Sequence, residues 1–280
     1  MYVCSGVFNY VLNKEPRRAW WERLGKSEIR GSPKKQIAMK RTFLFLLTAA
    51  LLGAGLCSCN RDDNDGNNNG GNNGGGGNGG STTTVQWVDL GLPSGLLWAD
   101  RNVGAASPEN YGYYYAWGET KPKEVYDWDT YAYGNDYTAL TKYCNQSDFG
   151  LNGFTDNLTT LEASDDAATV NIGGKARTPT KDEWQELVNN TTPTWTTRNG
   201  VNGRLLTAPN GKSIFLPAAG YRYGSSLKYA GEGGFYWART LYTDGPYGAW
   251  YFGFDSNYQG MNVDYRGGGF SVRAVRASQN

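Results

Sequence analysis

A tract made almost only of asparagine and glycine, residues 60–80, separates the sequence into two parts of different character. Such a tract offers no apolar side chains to bury, so it is predicted to be a flexible, disordered linker. The folded part must then lie in residues 81–280, which contain 8 of the 10 tryptophans and 18 of the 20 tyrosines. We predict a single domain there, held by the linker at a distance from the segment that precedes it.

That preceding segment has the features of a lipoprotein signal peptide, predicted at residues 39–59. Met39 is followed by two basic residues and then by an apolar run, residues 43–56, which is too short for a comfortable transmembrane helix. The run ends in Leu-Cys-Ser-Cys, which resembles a bacterial lipobox, so that cleavage would leave Cys59 as a lipidated N-terminus. An ordinary cleaved signal and an uncleaved anchor are the alternatives.

Two short segments flank this signal. Residues 1–38 are polar and make an odd start for a signal peptide, so we interpret them as a mis-called N-terminal extension; a real cytoplasmic extension is the alternative. Residues 60–63, Asn-Arg-Asp-Asp, are similar to the acidic export signal of surface lipoproteins in Bacteroidetes, the alternative being a solvated charge cluster. The expected location is the outer membrane, with the domain exposed on the cell surface and the lipid anchor as its only membrane contact.

Missing residue types exclude several classes of catalytic site. The chain has no histidine, which removes Ser-His-Asp and Cys-His catalysis and every histidine-based metal site. Cys144 is the only cysteine after residue 80, so the domain has no disulfide of its own. Residues 81–280 carry 16 Lys and Arg against 20 Asp and Glu, a net charge of −4 that argues against a nucleic-acid partner. We predict that the protein is not an enzyme and needs no cofactor.

The residue pattern of the domain predicts an α+β fold of short strands, ordered loops and one clear helix. That helix spans about residues 180–190, where Thr180 and Glu183 form a capping box and Trp184 begins an apolar stripe. A second, shorter helix is predicted to open at residues 165–168, because carboxylates favour the first turn of a helix.

Five apolar or alternating segments are predicted to be strands. Residues 85–90 and 270–275 alternate apolar and polar side chains, and we expect these two terminal strands to pair antiparallel. Residues 213–217, 234–238 and 248–254 are continuously apolar and are expected to form a buried central sheet.

Four motifs in the domain resemble the Fibrobacter succinogenes major paralogous (FISUMP) domain. They are VDLGLPSGLLWA at residues 88–99, RTPTKDEW at 177–184, LPAAG at 216–220 and GFSVRAVR at 269–276. The second and fourth are also similar to the C-type-lectin-like group that includes the formylglycine-generating enzyme. The resemblance implies a mixed α+β fold of short antiparallel strands, one or two helices, long ordered loops and paired terminal strands. The oxidase chemistry of that enzyme uses a cysteine pair, which Cys144 alone does not provide.

The C-terminal third further resembles the variable proteins of diversity-generating retroelements, which display a mutable surface on this fold. Residues 255–269 are polar and aromatic, are expected to form a hairpin or loop, and have little reason to be buried. Tyrosine gives a large contact area at low entropic cost, and Asn and Asp add adaptable hydrogen bonds. The predicted ligand-binding residues are Arg239, Tyr242, Asp244, Tyr247, Asp255, Asn257, Tyr258, Asn262, Asp264, Tyr265 and Arg266.

Core packing is the alternative for the aromatic residues of this region. Trp237 and Trp250 stand in apolar strands, which favours the core, whereas Tyr258 and Tyr265 stand among Asn, Asp and Gly, which favours the surface. The tyrosines of residues 242–247 fit either environment.

Calcium binding is the alternative for the oxygen-bearing side chains. Asp244, Asp255, Asn257, Asn262 and Asp264 offer the ligands that calcium prefers. The E-P-N, Q-P-D and W-N-D signatures of calcium-dependent lectins are absent, so we predict no metal site and interpret these residues as solvated.

Together these patterns predict a surface lipoprotein that binds a glycan or protein ligand on another cell or host surface through its C-terminal, diversified loops. A polysaccharide-acting enzyme and a structural, fimbria-like surface component are the alternatives.

Overall fold

A computed structural model describes residues 84–278, all of which belong to one compact unit, Ser81–Asn280. The predicted signal peptide, the lipidation site Cys59 and the predicted linker lie outside the described residues. Within residues 84–278, no helix has the length and apolar character needed to cross a membrane.

The described residues form mostly β-sheet with few helices, as expected for an α+β fold. Three single 3-10 turns occur at Ser147–Phe149, Leu151–Gly153 and Ala163–Asp165, and the two α-helices of residues 84–278 are α1 (Ala167–Ile172) and α2 (Lys181–Asn189). The thirteen strands of the same residues are β1 (Trp87–Asp89), β2 (Leu96–Asn102), β3 (Tyr114–Tyr115), β4 (Thr192–Arg198), β5 (Val201–Thr207), β6 (Ser213–Pro217), β7 (Tyr221–Tyr223), β8 (Ser226–Lys228), β9 (Gly234–Leu241), β10 (Gly248–Phe254), β11 (Gln259–Tyr265), β12 (Phe270–Ser271) and β13 (Arg273–Ala277).

The strands are arranged in four small sheets. The largest has five strands in the order β11-β10-β9-β12-β3, and only the β12–β9 pair in it is parallel. Two three-stranded antiparallel sheets have the orders β1-β2-β13 and β4-β5-β6, and β7 and β8 form a separate hairpin. The strands β9, β10 and β11 of the largest sheet, together with the loops that follow them, carry the residues predicted to bind a ligand.

The terminal strands do not pair with each other, so that part of the prediction is wrong. β2 lies between them: Trp98 is opposite Val88 of β1 on one edge and opposite Val275 of β13 on the other. The expected strand at residues 270–275 is also divided, because β12 pairs with β3 and β9 whereas β13 pairs with β2. Alternation predicts that a segment is a strand, but it carries no information about which strand lies beside it.

The predicted central sheet is confirmed for two of its three strands. β9 and β10 are neighbours in the five-stranded sheet, while β6 pairs with β5 in a different sheet, so its assignment to the central sheet is wrong. A short apolar run indicates burial on both faces, and β5, the hairpin partner that immediately precedes β6 in sequence, provides that burial as well as a central sheet would.

Both predicted helices are confirmed, and so is the capping box of α2. At the start of α2, the Thr180 hydroxyl accepts a hydrogen bond from the Glu183 amide at 3.2 Å, and the Glu183 carboxylate accepts one from the Thr180 amide at 2.8 Å. The Asp166 carboxylate accepts hydrogen bonds from the amides of Ala168 and Thr169 and so caps α1.

The main core lies between α2 and the sheets. Trp184 of α2 is fully buried, with its ring 5.0 Å from Phe252 of β10 and 4.9 Å from Trp98 of β2. Contacts between aromatic rings of this kind stabilise the fold beyond the contribution of the buried apolar area. α2 therefore packs on one face of β9, β10 and β11. The opposite face of these strands is covered by other side chains.

Candidate ligand-binding surface

The hairpin of β10 and β11 positions most of the predicted binding residues, and its turn is tightly held. The Asp255 carboxylate accepts hydrogen bonds from the amides of Asn257 at 2.6 Å and Tyr258 at 2.8 Å. Arg204 of β5 donates to the main-chain carbonyls of Asp255 and Tyr258. Asp255 therefore closes the turn, and exposed Asn257 stands at its tip.

Strand alternation divides the predicted residues between two faces of this hairpin. Asn262 is opposite Tyr251, and Asp264 is opposite Ala249, so these four side chains share one face. We call this surface the Asp264 face. The intervening residue Met261 packs with Trp250 against the core beneath α2.

Four tyrosines border the Asp264 face. They are Tyr221 from β7, Tyr251 from β10, Tyr258 from the turn and Tyr265 at the end of β11, and we call them the tyrosine cluster. The Tyr258 hydroxyl donates to the Asn262 side-chain oxygen at 3.1 Å.

The negative charge of Asp264 contributes to the raised pKa values of the other three tyrosines. Burial, and after it the negative charge of Asp264, raises the pKa of Tyr221 to about 12. The same two causes, in the same order, raise the pKa of Tyr251. Burial, the nearby Tyr247 and then Asp264 raise the pKa of Tyr265.

A pair of glycines gives these side chains their space. Gly253 and Gly260 are opposite each other in β10 and β11. A Cβ atom at Gly253 would lie 2.9 Å from the Tyr251 ring, and one at Gly260 would lie 2.6 Å from the Tyr258 hydroxyl oxygen. Because real Cβ contacts are longer than this, a larger residue at either position would require the Tyr251 or Tyr258 side chain to shift.

Asp264 itself is partly buried and has no cationic partner within residues 84–278. Its carboxylate accepts one hydrogen bond, from the Tyr265 amide at 2.7 Å. Burial raises the pKa of Asp264 to about 6, and the hydrogen bond from the Tyr265 amide lowers it only in part.

A comparison with Asp165 shows what Asp264 lacks. Burial would also raise the pKa of Asp165, but hydrogen bonds from Lys142, Tyr143 and Ser164 hold it below its ordinary value. Asp165 is thus satisfied inside the protein, whereas Asp264 keeps bonding capacity for a group from outside.

Hydroxyl groups of the tyrosine cluster are also uncommitted. In the described part of the chain, the hydroxyls of Tyr221, Tyr251 and Tyr265 make no hydrogen bond. Among the buried framework tyrosines, Tyr114 and Tyr236 donate to main-chain carbonyls, whereas the hydroxyl of Tyr115 has no partner. Free donors beside a free carboxylate are the arrangement expected of a surface that binds a polar ligand.

Access to this surface comes from its rim. The Tyr265 side chain is 51% exposed, and Tyr223, at the end of β7, is 57% exposed. The Tyr265 ring lies 5.7 Å from that of Tyr247, which is half-buried and packs on Phe149 at 5.2 Å. The aromatic surface therefore extends from the Asp264 face toward Tyr247.

Two further predicted residues are separated from this surface. Tyr242 packs on Trp250, 5.6 Å between ring centroids, and Trp250 belongs to the opposite face, where Lys181 of α2 lies 3.9 Å from its ring. Asp244 is exposed in the loop between β9 and β10, and its charge contributes to a raised pKa of Tyr242 after burial. Trp237 is buried, as expected of a core residue.

Two predicted binding residues are instead structural. Arg266 is completely buried and donates to the carbonyls of Tyr143, Pro246 and Lys142, so its prediction as a surface ligand is wrong. The half-buried Arg239 donates to a main-chain carbonyl of residue 161 and lies 4.0 Å from the buried carboxylate of residue 166. Long basic side chains beside polar neighbours suggest exposure in a sequence, but here they join loops that are distant in sequence.

Tyr221 and Tyr251 were not among the predicted binding residues. Tyr251 stands in the apolar run of β10 and is almost fully buried, so burial concealed its free hydroxyl. Tyr221 begins the short hairpin Tyr221-Arg222-Tyr223-Gly224, whose aromatic and glycine composition is the same signal that pointed to the C-terminal third.

The residues considered for calcium are not brought together. Asp244 lies in the loop between β9 and β10, the Asp255 carboxylate is bonded within its turn, and Asp264 lies on the Asp264 face. Within residues 84–278, no group of three acidic, cysteine or histidine side chains is placed to hold a metal ion.

Comparison with known proteins gives one finding. Residues 191–275 match the model of a family described as a domain of unknown function, DUF8237. The matched range includes β4 to β12 and most of β13, and therefore the whole tyrosine cluster and Asp264. No match was found among curated proteins or among solved structures.

Proposed function

We propose that this protein is a cell-surface lipoprotein whose C-type-lectin-like domain binds a glycan or protein ligand through the Asp264 face. The observation that carries the proposal is the half-buried carboxylate of Asp264, which forms no ion pair in the described part of the chain and accepts one hydrogen bond, from the Tyr265 amide.

The energetic argument starts from the cost of burial. Removing a carboxylate from water without a compensating charge is unfavourable, and a ligand that brings a hydrogen-bond donor or a cation recovers part of that cost. The rings of Tyr258 and Tyr265 add a broad apolar contact area with few rotatable bonds. Together these groups support recognition of a ligand that has both a polar group and an apolar surface.

Two contacts between motifs support the C-type-lectin-like, FISUMP-like part of the proposal. The motif at residues 177–184 and the motif at 269–276 meet where the Arg177 amide donates to the Val275 carbonyl at 3.0 Å and the Val275 amide donates back at 2.8 Å. Arg177 also pairs with Glu183 of the capping box. The motif residues thus belong to the structural framework of the domain. The β10–β11 hairpin lies between the two motifs in sequence and can vary without changing them.

Diversification is proposed only for hairpin residues with accessible side chains. Asn257, Tyr258, Asn262, Asp264 and Tyr265 are exposed or half-buried, and exchanging them leaves the core under α2 intact. A near-copy template repeat beside a reverse transcriptase in the neighbouring DNA would support this part of the proposal, and its absence would count against it.

The binding proposal is tested on glycan and protein arrays with the purified protein and a Tyr265→Ala variant. We expect at least one ligand to be bound by the wild type and to be lost from the variant. Asp244→Asn is the matched control, because it changes an exposed residue of the same third of the chain outside the tyrosine cluster. Equal binding by the wild type and Tyr265→Ala would refute the proposed surface.

The lipoprotein part is tested separately by cell fractionation. Replacing Cys59 by Ala removes the predicted acceptor of lipid, so the variant is expected to leave the membrane fraction. A Cys59→Ala protein that stays in that fraction would contradict the anchor.

A further inference from the structure

β11 is the outer strand of its sheet, with β10 on one side and no further strand of the described residues on the other. Two hydrogen bonds define which main-chain groups face β10. The Arg266 amide donates to the Tyr247 carbonyl at 3.1 Å at one end of the ladder, and the Asp255 amide donates to the Tyr258 carbonyl at 2.9 Å at the other.

In an antiparallel pair, the main-chain N–H and C=O groups of successive residues point alternately toward the partner strand and away from it, which fixes the direction of the other groups of β11. Asn262 and Asp264 are in register with these bonds and direct their N–H and C=O toward β10. Gln259, Met261 and Val263 direct theirs to the open edge, where no hydrogen bond to another described residue satisfies them. The Tyr265 amide, at the end of the same edge, is taken by the Asp264 carboxylate.

An edge of this kind accepts an extended chain as an additional strand, with main-chain hydrogen bonds giving affinity and side chains giving specificity. We infer that the open edge of β11 binds an extended peptide segment that places a lysine or arginine side chain next to Asp264. This inference rests on the proposed function, since it names the ligand of the same surface.

The position of the basic residue follows from strand geometry. In an antiparallel addition, the residue opposite Asp264 belongs to a non-hydrogen-bonded pair, in which the Cα atoms are about 4.5 Å apart and the side chains are closest. Opposite charges in such a pair attract each other. Tyr265 follows Asp264 at the end of the same strand and is 51% exposed, so its ring is accessible to a cation.

Neighbouring positions complete the expected pattern of the peptide. Asn262, on the same face as Asp264, favours a polar residue two positions along, whereas Met261 and Val263 face the other way and favour β-branched or apolar partners. A segment that alternates basic or polar residues with β-branched ones fits this edge.

A second copy of the chain is a poor occupant of this edge. β11 reads Gln-Gly-Met-Asn-Val-Asp-Tyr and contains neither lysine nor arginine. Pairing two β11 strands would bring a second unpaired Asp264 to the interface and would leave both carboxylates without a cation.

The test measures binding of labelled octapeptides to the purified protein by fluorescence anisotropy. The probe alternates lysine and threonine, and the comparison peptide alternates glutamate and threonine. We expect the wild type to bind the lysine peptide and not the glutamate peptide. Asp264→Asn should weaken binding by about tenfold, equivalent to about 1.4 kcal/mol, whereas Asp244→Asn, which removes the same charge elsewhere, should leave it unchanged.

Two further measurements test the strand addition itself. Methylating alternate main-chain nitrogens of the lysine peptide removes its edge hydrogen bonds and should abolish binding. Val263→Pro removes a donor that points away from β10, and proline is tolerated on edge strands, so this variant should fold and fail to bind. A methylated peptide that binds like its parent would overturn the inference even if Val263→Pro does not fold.

The outcomes separate this inference from the proposed function. If a neutral glycan is bound in a Tyr265-dependent way and the lysine peptide is not bound, the inference fails and the proposed function stands. If the lysine peptide binds wild type and Asp264→Asn equally, the inference also fails. If neither the peptide nor any array ligand binds, both fail.

Discussion

Replacing Asp264 by Asn should stabilise the domain at neutral pH and have little effect at acid pH. The pKa of Asp264 is raised from 3.8 to about 6 in the folded protein, chiefly by burial. A carboxyl group whose folded pKa is raised favours the folded state while it is protonated. That favourable contribution is complete below about pH 4 and is lost as the pH rises through about 6.

The size of the effect follows from the shift. A rise of about two pKa units corresponds to about 3 kcal/mol of destabilisation once Asp264 is ionised, and each unit is worth about 1.4 kcal/mol. Because water reaches part of the side chain and screens its charge, we expect a measured difference of about 1 to 3 kcal/mol. Asn keeps the size of the side chain and removes the charge.

The assay is urea unfolding followed by tryptophan fluorescence at pH 4.5 and pH 7.5. The stability difference between Asp264→Asn and wild type should increase by the stated amount from the lower to the higher pH. Asp244→Asn should show no such increase, because that carboxylate is exposed. The burial argument is refuted if the two variants depend on pH in the same way, or if Asp264→Asn is the less stable protein at pH 7.5.

Three other variants test separate parts of the structure. Arg266→Met removes the donors of three main-chain carbonyls and should cost about 2 to 4 kcal/mol in urea unfolding, so a cost below 1 kcal/mol would contradict its structural role. Gly260→Ala meets only the hydroxyl end of Tyr258, so it should change ligand binding on the arrays with about 1 kcal/mol or less of lost stability; unchanged binding would show that Tyr258 takes no part. Thr180→Ala removes the cap of α2 and should cost about 1 kcal/mol, with ligand binding unchanged, and a loss of binding would mean that α2 also supports the site.

Features that depend on near neighbours in sequence were predictable. The α2 capping box needs only Thr180 and the residue three positions later, and the structure shows both of its hydrogen bonds. The bounds of β6 and β10 are the ones their apolar runs predicted. Strand pairing was less predictable: β2 separates the terminal strands, because hydrogen bonding along a strand is equally good with any partner that has the right register.

The candidate site was also predictable only in part from the sequence. Tyr258, Asn262, Asp264 and Tyr265 were predicted from a polar, aromatic composition, and all four border one surface. Arg266 was predicted with them and is buried, because residues 142–143 and 246 approach from elsewhere in the chain and surround its guanidinium.

From the sequence alone follow both helices, the strands β6 and β10, the absence of histidine, the single cysteine of residues 81–280 and the residue types available for binding. Which of those residues share a face, and which charges lie near them, follows from the tertiary structure. The two kinds of feature differ in the sequence separation of the residues that produce them. A helix cap or an alternating strand is set by residues a few positions apart. The unpaired state of Asp264 depends instead on residues distant in sequence, because no basic side chain of residues 84–278 is brought to its carboxylate.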